Sequence, residues 1–267
     1  MIDLGKKNLL GVSIDAVDYE AAVARIVEAA AAGKRCTVTA LAVHGVMTAA
    51  DPSHQYRLNH MDLVVPDGQA VRWALNALHG TGLSDRVYGP KLTLKVCAEA
   101  ARRGIPVYFY GSSAEVVKKL AIRMQELTPG LKIAGYRPSL FRHATPAERA
   151  ATVREIRDSG AQILFAGLGC PRQEVFAYEM GQHLDMPILA VGAAFDYHSG
   201  ALAEPPEWIQ RSGLQWLYRL VQEPRRLWQR YLVLNTQFVA AFLMQLLGFR
   251  TVTPARGIPP AVDVLYG

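Results

Sequence analysis

The chain is poor in cysteine. Cys36, Cys97 and Cys170 are widely separated and odd in number, and no C-x-x-C pair or Cys/His metal spacing occurs. A disulfide framework and a zinc motif are therefore both disfavoured, and reduced thiols in a cytosolic protein are expected. The opening stretch, MIDLGKKNLLGVSID, has neither a long apolar core nor a small-residue cleavage site, which argues against a secretory signal. The apolar run near the other end, FVAAFLMQLLGF, is twelve residues long and contains Gln245, too short to span a bilayer. G-x-x-x-x-G-K-[ST] is missing, which disfavours an ordinary ATPase. The missing G-x-S-x-G disfavours a hydrolase with a nucleophile elbow. No H-E-x-x-H and no clustered acidic set suggests a catalytic metal, and no internal repeat or low-complexity tract stands out.

What is present is ordinary globular material. Of 267 residues, 51% are hydrophobic and 19% charged, enough for one large α/β domain or a domain plus an appendage. The first two-thirds alternates helix and strand signals. VDYEAAVARIVEAAAAG (17–33) has helical spacing with Asp18 as N-cap and Gly33 as stop. CTVTA (36–40), DLVVP (62–66), IPVYFYG (105–111), LKIAGY (131–136) and AQILFAG (161–167) read as strands. Helical segments separate them, and PILAVGAAF (187–195) closes the series. Ser112-Ser113 can cap the helix AEVVKKLAIRMQEL. This alternation implies parallel strands joined by right-handed crossovers. The predicted fold is α/β: a Rossmann-like, doubly wound, mostly parallel sheet over residues 1–203.

In such sheets ligands lie beyond the carboxyl ends of the strands. That rule selects Thr39, Asp67, Gly111, Ser112, Tyr136, Gly167, Gly169, Gln173, Glu174, Phe195 and Asp196. GLGCPRQE (167–174) puts glycines for close backbone approach beside an amide and a carboxylate at a helix start, where N–H groups can hold phosphate. It is not the G-x-G-x-x-G fingerprint, and a plain strand-to-helix turn would also explain it. Asp67, in VVPDGQA, reads either as a turn residue or as a general base. Asp196 reads as a helix N-cap or as a partner for sugar hydroxyls. His44 and His198 are expected to be structural.

Residues 204–250 change character. Trp208, Trp216, Tyr218, Trp228 and Tyr231 interleave with arginines, and from Pro205 to Arg250 six arginines face two glutamates, a surplus of four positive charges. A helical lid packed on the sheet and a surface for lipid headgroups are equally compatible with this pattern. Residues 251–267, TVTPARGIPPAVDVLYG, are Pro/Gly-rich and expected to be a loose end.

In this order, VVPDGQAVRWAL, VYFYGSSAEVV, ILFAGLGCPRQEVFA, AVGAAFDYHSG and PEWIQRSGLQWLYRLVQEPRRLWQRYL resemble the WecG/TagA/CpsF family of bacterial glycosyltransferases (glycosyltransferase family 26). The resemblance covers roughly residues 8–245. It implies an inverting transferase that moves a sugar from a UDP donor, typically of N-acetylmannosamine type, to a polyprenyl-diphosphate-linked acceptor at the cytoplasmic membrane face. No metal or other cofactor is implied, and a homo-oligomer is compatible. The resemblance makes Asp67 the base and puts Thr39 and Gln173 at the sugar and Asp196 at the nucleoside. Arg211, Arg219, Arg225, Arg226 and Arg230 would face the diphosphate, acceptor or membrane. Three positions depart from the family pattern: Leu41 stands where an asparagine is usual, Lys91 where an acid is, and Gln215 in GLQW where GLEW is. Lys91, if it faced the site, would suit an anionic sugar, so a hexose or a uronic acid stays open. The rival readings are a nicotinamide-dependent oxidoreductase, which lacks its glycine fingerprint after the first strand, and a non-catalytic membrane- or nucleic-acid-binding module. Nucleic acid is not the expected partner, because such binding leaves Asp67, Gln173 and Asp196 unexplained.

Overall fold

A computed structural model describes residues 1–249 and 257–267; the side chains of Arg226, Gln229 and Arg230 lie outside the described set. The elements run β1 (Asp3–Leu9), β2 (Val12–Val17), α1 (Tyr19–Ala31), β3 (Cys36–Leu41), α2 (Val43–Thr48), α3 (Pro52–Asn59), β4 (Leu63–Pro66), α4 (Gln69–His79), α5 (Gly89–Arg103), β5 (Val107–Gly111) and α6 (Ala114–Leu127). They continue as β6 (Ile133–Arg137), α7 (Pro146–Asp158), β7 (Ile163–Gly167), α8 (Arg172–Met180), β8 (Pro187–Ala190), α9 (Gly192–Ser199), α10 (Glu207–Ser212), α11 (Gln215–Gln222) and α12 (Pro224–Leu246).

Six strands form one sheet in the order β4-β3-β8-β7-β5-β6, every adjacent pair parallel. Strands β4, β5, β7 and β8 are buried from end to end. Helices cover both faces, which is why these strands read as unbroken apolar runs. Two apolar clusters result, one on each side. Val64, Tyr108, Tyr110, Leu164 and Ile188 belong to one; Leu63, Val65, Phe109, Phe165 and Leu189 belong to the other. Alternate residues along each strand thus serve opposite cores. The Asp18 side chain caps α1 by accepting from Ala21 N at 2.9 Å, and the Ser113 hydroxyl caps α6 by accepting from Val116 N at 3.2 Å.

The structure adds two elements and divides one apolar run. β1 and β2 form an antiparallel hairpin apart from the main sheet. The exposed, polar face of DLGKKNL hides β1 from hydrophobic patterning. PILAVGAAF is a strand only to Ala190, since α9 begins at Gly192, so Phe195 and Asp196 sit on a helix rather than after a strand.

Helix α12 packs against α2 and α4. Its own Leu227 and Phe238 are buried, and the Gln245 Oε1 accepts from Leu10 N at 2.9 Å in the β1–β2 turn. The expectation of a loose end does not extend to 257–267. Leu265 O accepts from Ala144 N at 2.7 Å, Tyr266 bridges to His143, and Ile258 N donates to Pro52 O at 3.2 Å.

Candidate active site

The carboxyl ends of the central strands open into a cleft of about 950 Å³. Asp67 and Gln173, far apart in sequence, both line it, with Ser112, Gly167, Gly169, Glu174 and Asp196. The appendage closes one side through Gln215, Trp216, Arg219, Tyr231 and Phe238. The sheet explains the meeting. β3 pairs with β4 on one side and with β8 on the other, and β8 pairs with β7. The turn after β4 and the turn after β7 therefore flank the same two central strands.

Asp67 follows Pro66, the last residue of β4, and its N–H donates to Leu41 O at 3.1 Å. Its carboxylate accepts from Gly89 N at 3.3 Å, at the start of α5. Burial pushes the carboxyl up to about 6, against the opposing pull of Arg86, the Gly89 N–H and Arg219. A carboxylate so placed binds a proton more readily than one in water while remaining mostly ionised at neutral pH.

Two cations face this carboxylate. Arg86 is buried, with its guanidinium 4.4 Å over the Tyr88 ring. Arg219, on α11, lies 5.9 Å over the Tyr197 ring and pairs with Glu223 at 3.8 Å. Among the described residues, Arg86 Nη2, Arg219 Nε and Gln69 Oε1 are buried polar atoms without a hydrogen-bond partner, and all three residues line the cleft. Unpaired buried polar atoms are costly, so such a set indicates a site that a polar ligand completes. Gln215 Nε2 donates to the Tyr88 hydroxyl at 2.6 Å and joins α11 to the loop that carries Arg86.

Gln173 is a strap between loops. Its Oε1 accepts from Gly169 N at 3.1 Å and Gly192 N at 2.9 Å, and its Nε2 donates to Glu174 Oε1 at 2.9 Å and Ala190 O at 3.3 Å. Both acceptor positions and both donor hydrogens are thereby used. Glu174 Oε1 also accepts from the Thr39 hydroxyl at 3.1 Å. Burial raises the Glu174 carboxyl, against hydrogen bonds from Gln173, its own N–H, Thr39 and Cys170.

Several expected residues stand elsewhere. Thr39 is fully buried behind Glu174 and is not a wall residue. Tyr136 is exposed on the edge strand β6 and lies off the cleft. Gly111 and Phe195 are packing positions. A Cβ at Gly111, where φ is +124°, would meet Gly167 O at 2.4 Å, and one at Gly167 would meet the Phe195 ring at 2.5 Å. Arg211 is exposed and pairs with Glu207 at 2.6 Å, and Arg225 is exposed off the cleft. The side chains of Arg226 and Arg230 lie outside the described residues. Lys91 stands 5.3 Å over the Tyr19 ring and does not line the cleft, which removes its argument for an anionic sugar. Leu41 does line it. His198 is buried against Pro90 O at 2.9 Å, as a structural histidine should be, whereas His44 is on the wall.

Sequence reasoning missed Arg86, Tyr88, Gln69 and Tyr197. A signal existed for Arg86: a lone cation in the loop that follows α4, opening the RVYG stretch. Among the described residues, no three His, Cys, Asp or Glu side chains converge as metal ligands, and no helix is long and apolar enough to cross a membrane.

Residues 7–252 match the sequence model of the glycosyl transferase WecG/TagA/CpsF family. The chain is also 30% identical over 208 residues to an N-acetylglucosaminyldiphosphoundecaprenol N-acetyl-β-D-mannosaminyltransferase of Bacillus spizizenii, covering 77% of each protein.

Proposed function

Because the chain belongs to the WecG/TagA/CpsF family of glycosyltransferases, we propose that it transfers an N-acetylmannosamine-type sugar from a UDP donor to a polyprenyl-diphosphate-linked N-acetylglucosamine, with inversion, in surface-glycan assembly. The acceptor and the sugar follow the named activity of the Bacillus relative. One observation carries the chemistry. Two raised carboxyls, Asp67 and Glu174, line the cleft, and of the two Asp67 is the one set against the cations Arg86 and Arg219, whereas Glu174 is held by Gln173 and Thr39.

In this reading Asp67 accepts the proton of the acceptor hydroxyl as that oxygen bonds to the anomeric carbon. The bond from that carbon to the UDP oxygen breaks on the opposite face, which inverts the centre. Negative charge grows on the departing diphosphate, and the unpaired guanidinium nitrogens of Arg86 and Arg219 meet it. Gln173 holds the Gly169 and Gly192 turns in place and so shapes the sugar pocket rather than spending its amide on the sugar. Transfer is expected to need no metal and to survive chelation. The exposed Trp208, Trp228, Leu232, Leu247 and Phe249 of the appendage would meet the cytoplasmic membrane surface where the lipid acceptor resides.

The test is direct. Purified protein is incubated with UDP-N-acetylmannosamine and a short-chain prenyl-diphosphate N-acetylglucosamine, and products are read by mass spectrometry. A disaccharide product, lost in Asp67→Asn, is expected. Turnover by Asp67→Asn at the wild-type rate would remove the base assignment; transfer of a different sugar in preference would overturn the donor.

A further inference from the structure

Residues 257–267 follow the region shared with the family, yet they are built into the molecule. Glu179, on α8, is nearly fully buried. Its Oε1 accepts from Val264 N at 2.8 Å and its Oε2 from Leu265 N at 3.1 Å, with Arg57 Nη2 3.5 Å from Oε1. The closing segment then runs alongside the loop between β6 and α7. Ala144 N donates to Leu265 O at 2.7 Å, Gly267 N to Arg142 O at 3.2 Å, and the Ser139 hydroxyl to Gly267 O at 2.6 Å. The His143 ring nitrogen Nδ1 lies 2.6 Å from Val264 O, and Arg149 pairs with Asp263 at 2.5 Å.

That loop is part of the cleft. Ser139 and Phe141 line its wall, and Ser139 N donates to the carbonyl of Ser112, another wall residue, at 2.9 Å. The loop follows β6, at the opposite edge of the sheet from β4 and Asp67. Between β4 and β5, which ends beside Ser112, lie four strand spacings, roughly 19 Å. An extended nucleotide-sugar with its sugar at Asp67 would reach toward this end with its nucleoside.

We propose that Glu179 is a positioning residue for the donor: by anchoring segment 257–267 it fixes the loop that carries Ser139 and Phe141 as the far wall of the cleft. Glu179 touches no substrate. It acts through two backbone N–H groups and one strip of chain, because a buried carboxylate with two N–H donors and a guanidinium holds its partners far more rigidly than exposed loop contacts do. The proposal rests on the reading that the cleft takes a UDP-sugar.

The test uses the full-length chain with Glu179→Gln, which replaces one of the two acceptor oxygens with a donor, and with Val264→Pro, which removes one N–H from the other side and leaves the Arg57 environment intact. Amide exchange at 139–144 and 265–267 is expected to quicken about tenfold or more in each, the worth of one charge-assisted hydrogen bond. UDP affinity and donor KM should weaken by a similar factor, with kcat changed less than about twofold. Unchanged exchange in the loop would refute the anchoring, whatever the donor. Quickened exchange with unaltered UDP affinity and donor KM would reduce the segment to a structural tie. Wild-type protein that bound no UDP would overturn the donor reading instead, and the exchange measurement would still decide whether Glu179 holds the loop.

Discussion

As the proposed base, Asp67 would owe its use to an uncomfortable setting. Its carboxyl, pushed up to about 6 from 3.8, holds a proton more tightly in the folded protein than in the unfolded chain. The folded state therefore gains least from this group where it is ionised: stability falls as pH rises from about 4 through about 6 and then levels, a loss on the order of 3 kcal/mol. Transfer should rise over the same interval as the base deprotonates. Asp67→Asn is accordingly expected to lose activity by a factor of about 10² to 10⁴ and to melt above the wild type at pH 8, with the gap closing toward pH 4. Calorimetry at the two pH values checks it, and a variant that melts lower at pH 8 would contradict the burial argument. Gly111 makes the opposite point. Its positive φ and the Gly167 carbonyl 2.4 Å from where a Cβ would sit leave no room for a side chain. Gly111→Ala should cost about 2 to 4 kcal/mol in denaturant titration. The sequence marked Gly111 for its place after a strand, but its reason is packing between β5 and β7, a distance that no linear pattern encodes.

Among the elements, the sheet strands were legible because burial on both faces leaves an unbroken apolar signature. The same signature misled at PILAVGAAF, where α9 is also buried and the apolar run carries on past the strand end. Arg86 and Tyr88 escaped notice because their meaning depends on α11, more than a hundred residues later, whose Gln215 reaches Tyr88. The substitution pattern across α10, α11 and α12 should be sharply uneven. Arg219→Ala, which removes a cation from the cleft wall, is expected to lower turnover by about 10² or more even on a water-soluble acceptor. Exposed Trp208 and Trp228 lie off the cleft. Changing both to serine should leave that turnover within about twofold. Equal losses in the two variants would mean that the appendage acts as one unit.

At the scale of the whole molecule, the cleft and the aromatic, cationic flank share the same C-terminal helices. Trp216, Arg219 and Phe238 turn inward, while Trp208, Val221, Trp228 and Leu232 turn outward. Cosedimentation with vesicles containing anionic phospholipid should detect that outward face, weaken as salt rises, and be lost in the Trp208→Ser/Trp228→Ser variant. Binding that ignored both salt and the tryptophans would place membrane attachment elsewhere. The sheet order carries a separate consequence for how such a protein is made. Among the described residues β8 is the last strand of this sheet to leave the ribosome, yet it occupies the middle, between β3 and β7. Earlier strands that paired before it arrived would form two half-sheets whose inner edges expose unpaired backbone to any neighbouring polypeptide. The final strand therefore joins the two halves and brings the turns after β4 and β7 around one centre, while the cleft still waits for α11 and α12 to close its side.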